Sequence, residues 1–244
     1  MCGRAVNPDR FKDYKQLLYD DFYFFDDKRN SFLIKDLNEL PDGYINYNVA
    51  PTTNIPVIAN NEPKAVQLMN WKYDMKIQGK LIPLFNSKIE QAEKNNSYFR
   101  HDLQERRCVV LFKGFYEWIK QDPTNKKTLK QPVFISLKNS PIMPLAGIFK
   151  KNEDGTTGCS IITTTPLESV SKVHNRMPFI LNPDSIFDYL SPRLDGDKTL
   201  ILDWLSNNLI DNDSLSYYPV NQAVGSVKNK QPSLLDKCEP IFEI

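Results

Sequence analysis

The chain begins Met1-Cys2-Gly3-Arg4, which places a thiol directly behind an initiator methionine. Cysteine is small enough for that methionine to be clipped, and clipping would leave Cys2 with a free α-amine and a thiol on adjacent carbons. The amine titrates near roughly 7.7–8.0 and the thiol near roughly 8.5, so each is partly nucleophilic around neutrality. Such a 1,2-aminothiol condenses with an aldehyde to a Schiff base and then closes through sulfur to a five-membered thiazolidine. No internal cysteine can do this. A cysteine at position 2 also fits a buried small hydrophobe or an acylation site, so its weight depends on what accompanies it.

Three further residues are candidates for moving protons or ordering the terminus. Glu117 lies in the run RCVVLFKGFYEW at 107–118. On a strand it shares one face with Phe115 and Ile119, while Tyr116 and Trp118 take the other. Poor solvation there would raise its carboxyl pKa toward neutrality, as a general acid/base requires. A salt bridge to an arginine on a half-buried strand is the alternative. His174, one of two histidines, sits in the polar segment VHNRMP at 173–178. With Arg176 two positions on, it suits proton transfer beside a phosphate, although a structural or exposed loop histidine reads the same way. Asn86, in FNSKIE at 85–90, reads as a helix N-cap.

The elements that must position these residues can be sketched from pattern. Residues 9–25 carry helix-like apolar spacing. Short strands are expected within 44–71, in YINYNV, IPVIA and AVQLMNW, separated by turn signals. A helix is expected over about 87–106, then strands at 107–112, 114–120, 132–138, 145–149 and 158–164. Helices follow at 183–191 and 199–209, and a last strand pair near 216–228. This predicts an α+β fold, a single domain over 1–244 of curled, mainly antiparallel sheets with peripheral helices.

Composition narrows the classes. The 244 residues are 41% hydrophobic and 25% charged, as in ordinary globular proteins. No apolar run approaches the roughly 18 residues of a membrane span, and no signal-peptide core is present. Cysteines at 2, 108, 159 and 238 form no CxxC pair. With only His101 and His174 besides, no zinc spacing can be written, and no metal or organic cofactor is expected. Free, scattered cysteines point to an intracellular, reducing compartment, nuclear or cytoplasmic. Net charge is +1, yet residues 72–150 hold 15 Lys/Arg against 7 Asp/Glu. That basic middle fits either a phosphate-tracking groove or scattered solvating lysines.

Taken in order, MCGR at 1–4, YNVAPT at 47–52, the NxxxE element at 86–90, RCVVLFKGFYEW at 107–118, AGIF at 146–149, IITTT at 161–165, HNRMP at 174–178 and PVNQAVGSVKN at 219–229 resemble the SOS-response-associated peptidase (SRAP) family, the abasic-site processing proteins. The resemblance spans nearly the whole chain. It implies an α+β domain, a monomer, that binds single-stranded DNA containing abasic sites and forms a thiazolidine with the ring-opened aldehyde. Cys2 would supply amine and thiolate, and Asn86 would position the N-terminal residue. Glu117 would be the general acid/base and bear on crosslink reversal, and His174 would assist ring opening of the deoxyribose. Arg4, Lys88 and Arg176 would hold phosphates, and Thr163 would contact DNA near the lesion. An abasic site offers no base to read, so recognition would rest on backbone contacts, on flanking bases and on the covalent step.

Two departures stand out. The family usually carries Arg where this chain has Lys88, and lysine offers no planar fork to a phosphate. The common Trp-Gly is Trp71-Lys72 here, and 73–85 does not show the bulky aromatics that often precede the Asn element, which makes Met75, Ile77 and Phe85 the candidate stacking residues. Two other functions fit parts of the pattern: a cysteine peptidase with an N-terminal nucleophile, and a non-catalytic reader of single-stranded or modified DNA.

Overall fold

The computed structural model describes residues 2–7, 23–25, 31–32, 45–94 and 97–244. Among them the strands in chain order are β1 (Ala5–Val6), β2 (Tyr23–Phe25), β3 (Ser31–Phe32), β4 (Asn54–Ala59), β5 (Glu62–Asn70), β6 (Tyr73–Ile77), β7 (Lys80–Leu84) and β8 (Asn86–Lys88). They continue with β9 (Arg107–Phe112), β10 (Gly114–Lys120), β11 (Lys130–Leu137), β12 (Met143–Lys151), β13 (Thr157–Thr164), β14 (Met177–Pro178) and β15 (Leu215–Pro219). One sheet has the order β1-β10-β11-β15 and is antiparallel throughout. The larger sheet runs β14-β13-β12-β9-β4-β5-β2-β3, with β8 lying parallel against β13.

The larger sheet curls on itself. Its ring β13-β12-β9-β4-β5 closes where Asn70 pairs with Gly158. Closure needs a residue without a side chain at that point, because a Cβ on Gly158 would lie 2.0 Å from the Lys72 carbonyl oxygen.

Alternation along β9 decides the layers. Cys108, Val110 and Phe112 face the core between the two sheets, while Val109 and Leu111 face the helices Tyr98–Glu105 and Lys198–Asn207 on the far side. Because both faces are covered, the strand reads as an unbroken apolar run rather than an alternating one. After Phe112 the chain leaves this sheet and, one residue later, enters the other as β10. Gly114 permits that crossing, since a Cβ there would lie 2.3 Å from the Ile135 carbonyl oxygen. On β10, Phe115 and Ile119 point into the inter-sheet core and Tyr116 packs with Phe134 and Val220 on the outer face.

The strands expected at 107–112, 114–120, 132–138, 145–149 and 158–164 all form, and the α+β class of curled, mainly antiparallel sheets holds. Several local expectations need correcting. The helix expected over 87–106 is strand β8, one 3-10 turn, then a helix only from Tyr98, capped by the Ser97 hydroxyl. Helical periodicity in 86–94 loses to parallel pairing with β13. Residues 73–84 form a β6–β7 hairpin turned by Gln78 and Gly79, both at positive φ. The last strand pair is a single strand, β15, followed by a 3-10 turn at Gln222–Gly225. Of the strand expected over 44–49, the described residues 45–49 contribute one bridge, Val49 to Ala5, rather than a ladder. The helix expected over 9–25 falls outside the described residues up to position 22, and Tyr23–Phe25 is a strand. No described helix is long and apolar enough to cross a membrane.

Candidate functional site

The N-terminus is gripped on both edges. β1 pairs with β10 through Ala5 opposite Phe115 and Val6 opposite Gly114. The ladder continues past the strand's end, where the Tyr116 N–H donates to the Arg4 carbonyl at 2.9 Å. This antiparallel register leads Cys2 and Gly3 toward Glu117. On its other edge, Ala5 exchanges backbone hydrogen bonds with Val49 at 2.9 and 2.7 Å, and the Asn7 N–H donates to the Asn46 carbonyl at 3.0 Å.

Cys2 is fully buried and belongs to the inter-sheet core with Phe115, Ile119 and Ile161. Its carbonyl accepts a hydrogen bond of 2.8 Å from the Asn86 side-chain amide. Asn86 can reach it because β8 runs parallel to β13, with Asn86 opposite Ile161, Ser87 opposite Ile162 and Lys88 opposite Thr163. Ser87 turns inward to the Ser160 hydroxyl at 2.9 Å, so Asn86 and Lys88 share the other side of this short strand. Asn86 is therefore a strand residue tied to the terminus, not the helix N-cap expected from its neighbours. Its Oδ1 is buried with no hydrogen-bond partner among the described residues.

Glu117 is 5% exposed, on the apolar side of β10 that its alternation implies. Burial pushes the Cys2 thiol far above its ordinary value, and the Glu117 carboxylate nearby raises it further. The thiol is thus held protonated at neutral pH. A thiolate and an ionised Glu117 disfavour one another, so a proton leaving sulfur has a natural destination on that carboxylate.

A second group of residues lies at the far end of β8. β14 pairs antiparallel with β13, Thr163 opposite Pro178 and Thr164 opposite Met177, which carries the 174–176 loop alongside. The His174 Nδ1 lies 3.0 Å from the Arg176 backbone nitrogen and 3.1 Å from the Arg176 carbonyl oxygen, so the loop's own backbone holds the ring. Arg176 donates to the Thr163 carbonyl at 2.6 Å and hydroxyl at 3.3 Å, and meets the Glu90 carboxylate fork to fork. Thr163 is fully buried, so it meets Arg176 rather than open surface.

The remaining expected contacts divide. Lys88 is exposed on the open side of β8. Arg4 sits on the opposite side of the terminus, where its guanidinium donates to Asn48 Oδ1 at 3.1 Å, the Val224 carbonyl at 3.2 Å and the Gly225 carbonyl at 3.3 Å. Partial burial lowers its pKa. Of the stacking candidates, Phe85 packs against the inter-sheet core and Met75 against the helix side. Ile77 is 41% exposed at the hairpin tip beside Leu81 and Ile82.

The pattern reading missed two residues. Asn48, 1% exposed, donates to the carbonyls of Val224, Ser226 and Asn229 at 3.1, 2.9 and 3.0 Å, clamping the 224–229 loop onto the N-terminal strand. Its place in YNVAPT was visible, but nothing in the sequence says that a loop 176 residues away will close over it. Glu90 is the other; its spacing from Asn86 was visible and its partner Arg176 was not.

Known proteins resemble this chain over most of its length. The family described as SOS response associated peptidase (SRAP) matches residues 1–227. The abasic site processing protein YoqW of Bacillus subtilis is 34% identical over 230 residues, covering 88% of this chain and 96% of that protein. YedK of Escherichia coli, also called an abasic site processing protein, is 25% identical and covers 96% and 99%. HMCES of Rattus norvegicus, of the same description, is 27% identical and covers 80% and 66%. Among solved structures, a phage-related protein from Bordetella bronchiseptica superposes with a TM-score of 0.68 at 23% identity, covering 91% and 95%, a likeness of fold.

Proposed function

The chain belongs to the SOS response associated peptidase (SRAP) family, and from that premise we propose that it processes abasic sites in single-stranded DNA by linking Cys2 covalently to the sugar aldehyde. The observation that carries this reading is the convergence on Cys2: buried in the inter-sheet core, its carbonyl held by Asn86, with Glu117 acting on its thiol. An internal nucleophile needs no such hold on its backbone. A reacting terminal residue does.

Removal of Met1 frees the α-amine of Cys2. The amine adds to the C1 aldehyde of the ring-opened deoxyribose, and water leaves as the Schiff base forms. The Cys2 sulfur then adds to the same carbon, its proton leaves toward Glu117, and the imine nitrogen takes up a proton as the thiazolidine closes. This order suits the electrostatics. The first bond is made by nitrogen, so a thiol held protonated by burial is no obstacle until the ring closes. Asn86 Oδ1 offers an acceptor beside the terminus for an amine N–H. His174 is assigned to opening the sugar ring, and Lys88 and Arg176 to the phosphates on either side.

The raised thiol also weighs against the peptidase reading. A cysteine peptidase rests with a thiolate, whereas at Cys2 burial and the Glu117 carboxylate outweigh the N-terminal ammonium and keep the thiol protonated. The deciding experiment is incubation with single-stranded DNA containing one abasic site, followed by a denaturing gel. A denaturant-resistant band confined to the abasic strand and lost in Cys2→Ala is expected. An undiminished, reduction-independent adduct from Cys2→Ala sinks the mechanism.

A further inference from the structure

The Glu90–Arg176 pair lies at the place assigned above to a DNA phosphate, and its two members are held very differently. The Arg176 side chain is 13% exposed. Its Nη2 is fixed to the Thr163 carbonyl at 2.6 Å, a backbone atom of a central strand, so the guanidinium is not free to swing. Glu90 is 47% exposed and stands on the single 3-10 turn Ile89–Gln91. Its two oxygens face Nη1 and Nη2 together, the second at 2.9 Å. That edge of a guanidinium, like its Nε–Nη2 edge, can receive a phosphate bidentately. A phosphate approaching along it meets a carboxylate already in place. The Arg176 Nε is meanwhile buried with no hydrogen-bond partner among the described residues, so Glu90 leaves the cation only partly satisfied.

We infer that Glu90 is a built-in counter-ion that competes with DNA phosphate for Arg176, so that a nucleic-acid backbone binds only by displacing it. The inference rests on the DNA reading above. Its use follows from the target's chemistry. With no base to recognise, every strand offers the same phosphates, and non-specific affinity subtracts directly from discrimination. Weakening the reversible grip leaves the choice of site to the covalent step, which only an aldehyde completes.

The test uses the full chain and an unmodified single-stranded oligonucleotide, read by fluorescence anisotropy at low and moderate salt. Glu90→Gln is expected to bind roughly threefold to tenfold more tightly, the change that loss of one partly exposed bidentate competitor produces. Glu90→Ala is expected to gain at least as much, since glutamine still accepts one hydrogen bond. The gain must vanish in an Arg176→Ala background. Weaker binding by Glu90→Gln overturns the inference and makes Glu90 a positioning residue for Arg176. A gain that persists without Arg176 also overturns it, as a mere effect of net charge. Inorganic phosphate, followed through the Arg176 Nε resonance by NMR, separates this inference from the function it rests on. Tighter phosphate uptake by Glu90→Gln with no DNA binding by any variant upholds the counter-ion and removes the DNA reading. No gain with either probe removes the counter-ion alone, provided the wild type binds DNA.

Discussion

The side-chain amide of Asn86 donates to the carbonyl of Cys2 at 2.8 Å, across 84 residues of chain. The hydrogen bond fixes the backbone of the residue proposed to react without touching its amine or its thiol. Asn86→Ala is therefore expected to slow crosslink formation by about tenfold, the worth of one well-made buried hydrogen bond. Single-turnover kinetics on an abasic oligonucleotide would measure it. Affinity for an unreactive abasic analogue should change far less. Equal losses in both would make Asn86 a DNA contact instead.

Glu117 and Cys2 give a prediction of opposed signs. The carboxylate raises the thiol pKa, so Glu117→Gln should lower it and speed alkylation of Cys2 by iodoacetamide at neutral pH. The same substitution removes the proposed proton acceptor, and crosslinking should slow by on the order of a hundredfold. A variant that is slower in both assays has lost the fold of the site rather than its proton transfer.

These two relationships show what was legible in the sequence. The face of Glu117 followed from strand alternation, because β10 is an ordinary strand whose period is set by the backbone. The position of Asn86 did not follow. Its segment has the composition of a helix start, and only pairing with Ile161 and Ile162 makes it a strand. Long-range partners decide short elements, and sequence periodicity carries no information about them. The same holds for Arg4, whose guanidinium is held by Asn48 and the Val224–Gly225 loop, a destination set by how the C-terminal segment folds back.

Three thiols, Cys2, Cys108 and Cys159, are fully buried and raised by desolvation. In the unfolded chain each deprotonates near roughly pH 8.5, while in the folded protein each keeps its proton. The folded state then binds more protons than the unfolded one, so stability should be complete below that pH and fall as pH rises through it. The slope should approach about 1.4 kcal/mol per pH unit for each thiol. Urea denaturation under reducing conditions between pH 7.5 and 9.5 would show it. Cys159→Ala should flatten the fall by about a third by the same linkage; an unchanged slope would mean that other groups carry it.

Gly114 is where the chain passes between sheets, with no room for a Cβ against the Ile135 carbonyl. Gly114→Ala must push β10 away from β11 or from β1, and backbone cannot yield as a side-chain tip can. A loss of about 3 kcal/mol or more is expected in chemical denaturation. Crosslinking should fall with it, because β1 carries Cys2. Wild-type stability in this variant would show that the crossing is looser than its geometry implies.

Lys88 offers the sharpest test of the proposed grip on phosphate. It is exposed on the same side of β8 as Asn86, with Glu90 and Arg176 beyond it. A lysine there meets a phosphate as a point charge, whereas an arginine offers a planar fork. Lys88→Arg should therefore hold or improve affinity for single-stranded DNA. Lys88→Ala should weaken it and flatten the slope of log K against log salt by up to about 0.7, the value for one neutralised phosphate on a single strand. Anisotropy titrations across a range of salt would give both numbers. Neither substitution touches the Asn86–Cys2 hydrogen bond, so the crosslinking rate at saturating DNA should stay near that of the wild type. A large loss of affinity in Lys88→Arg would mean that the ammonium fills a confined site, and the phosphate role would then fall to Arg176 alone.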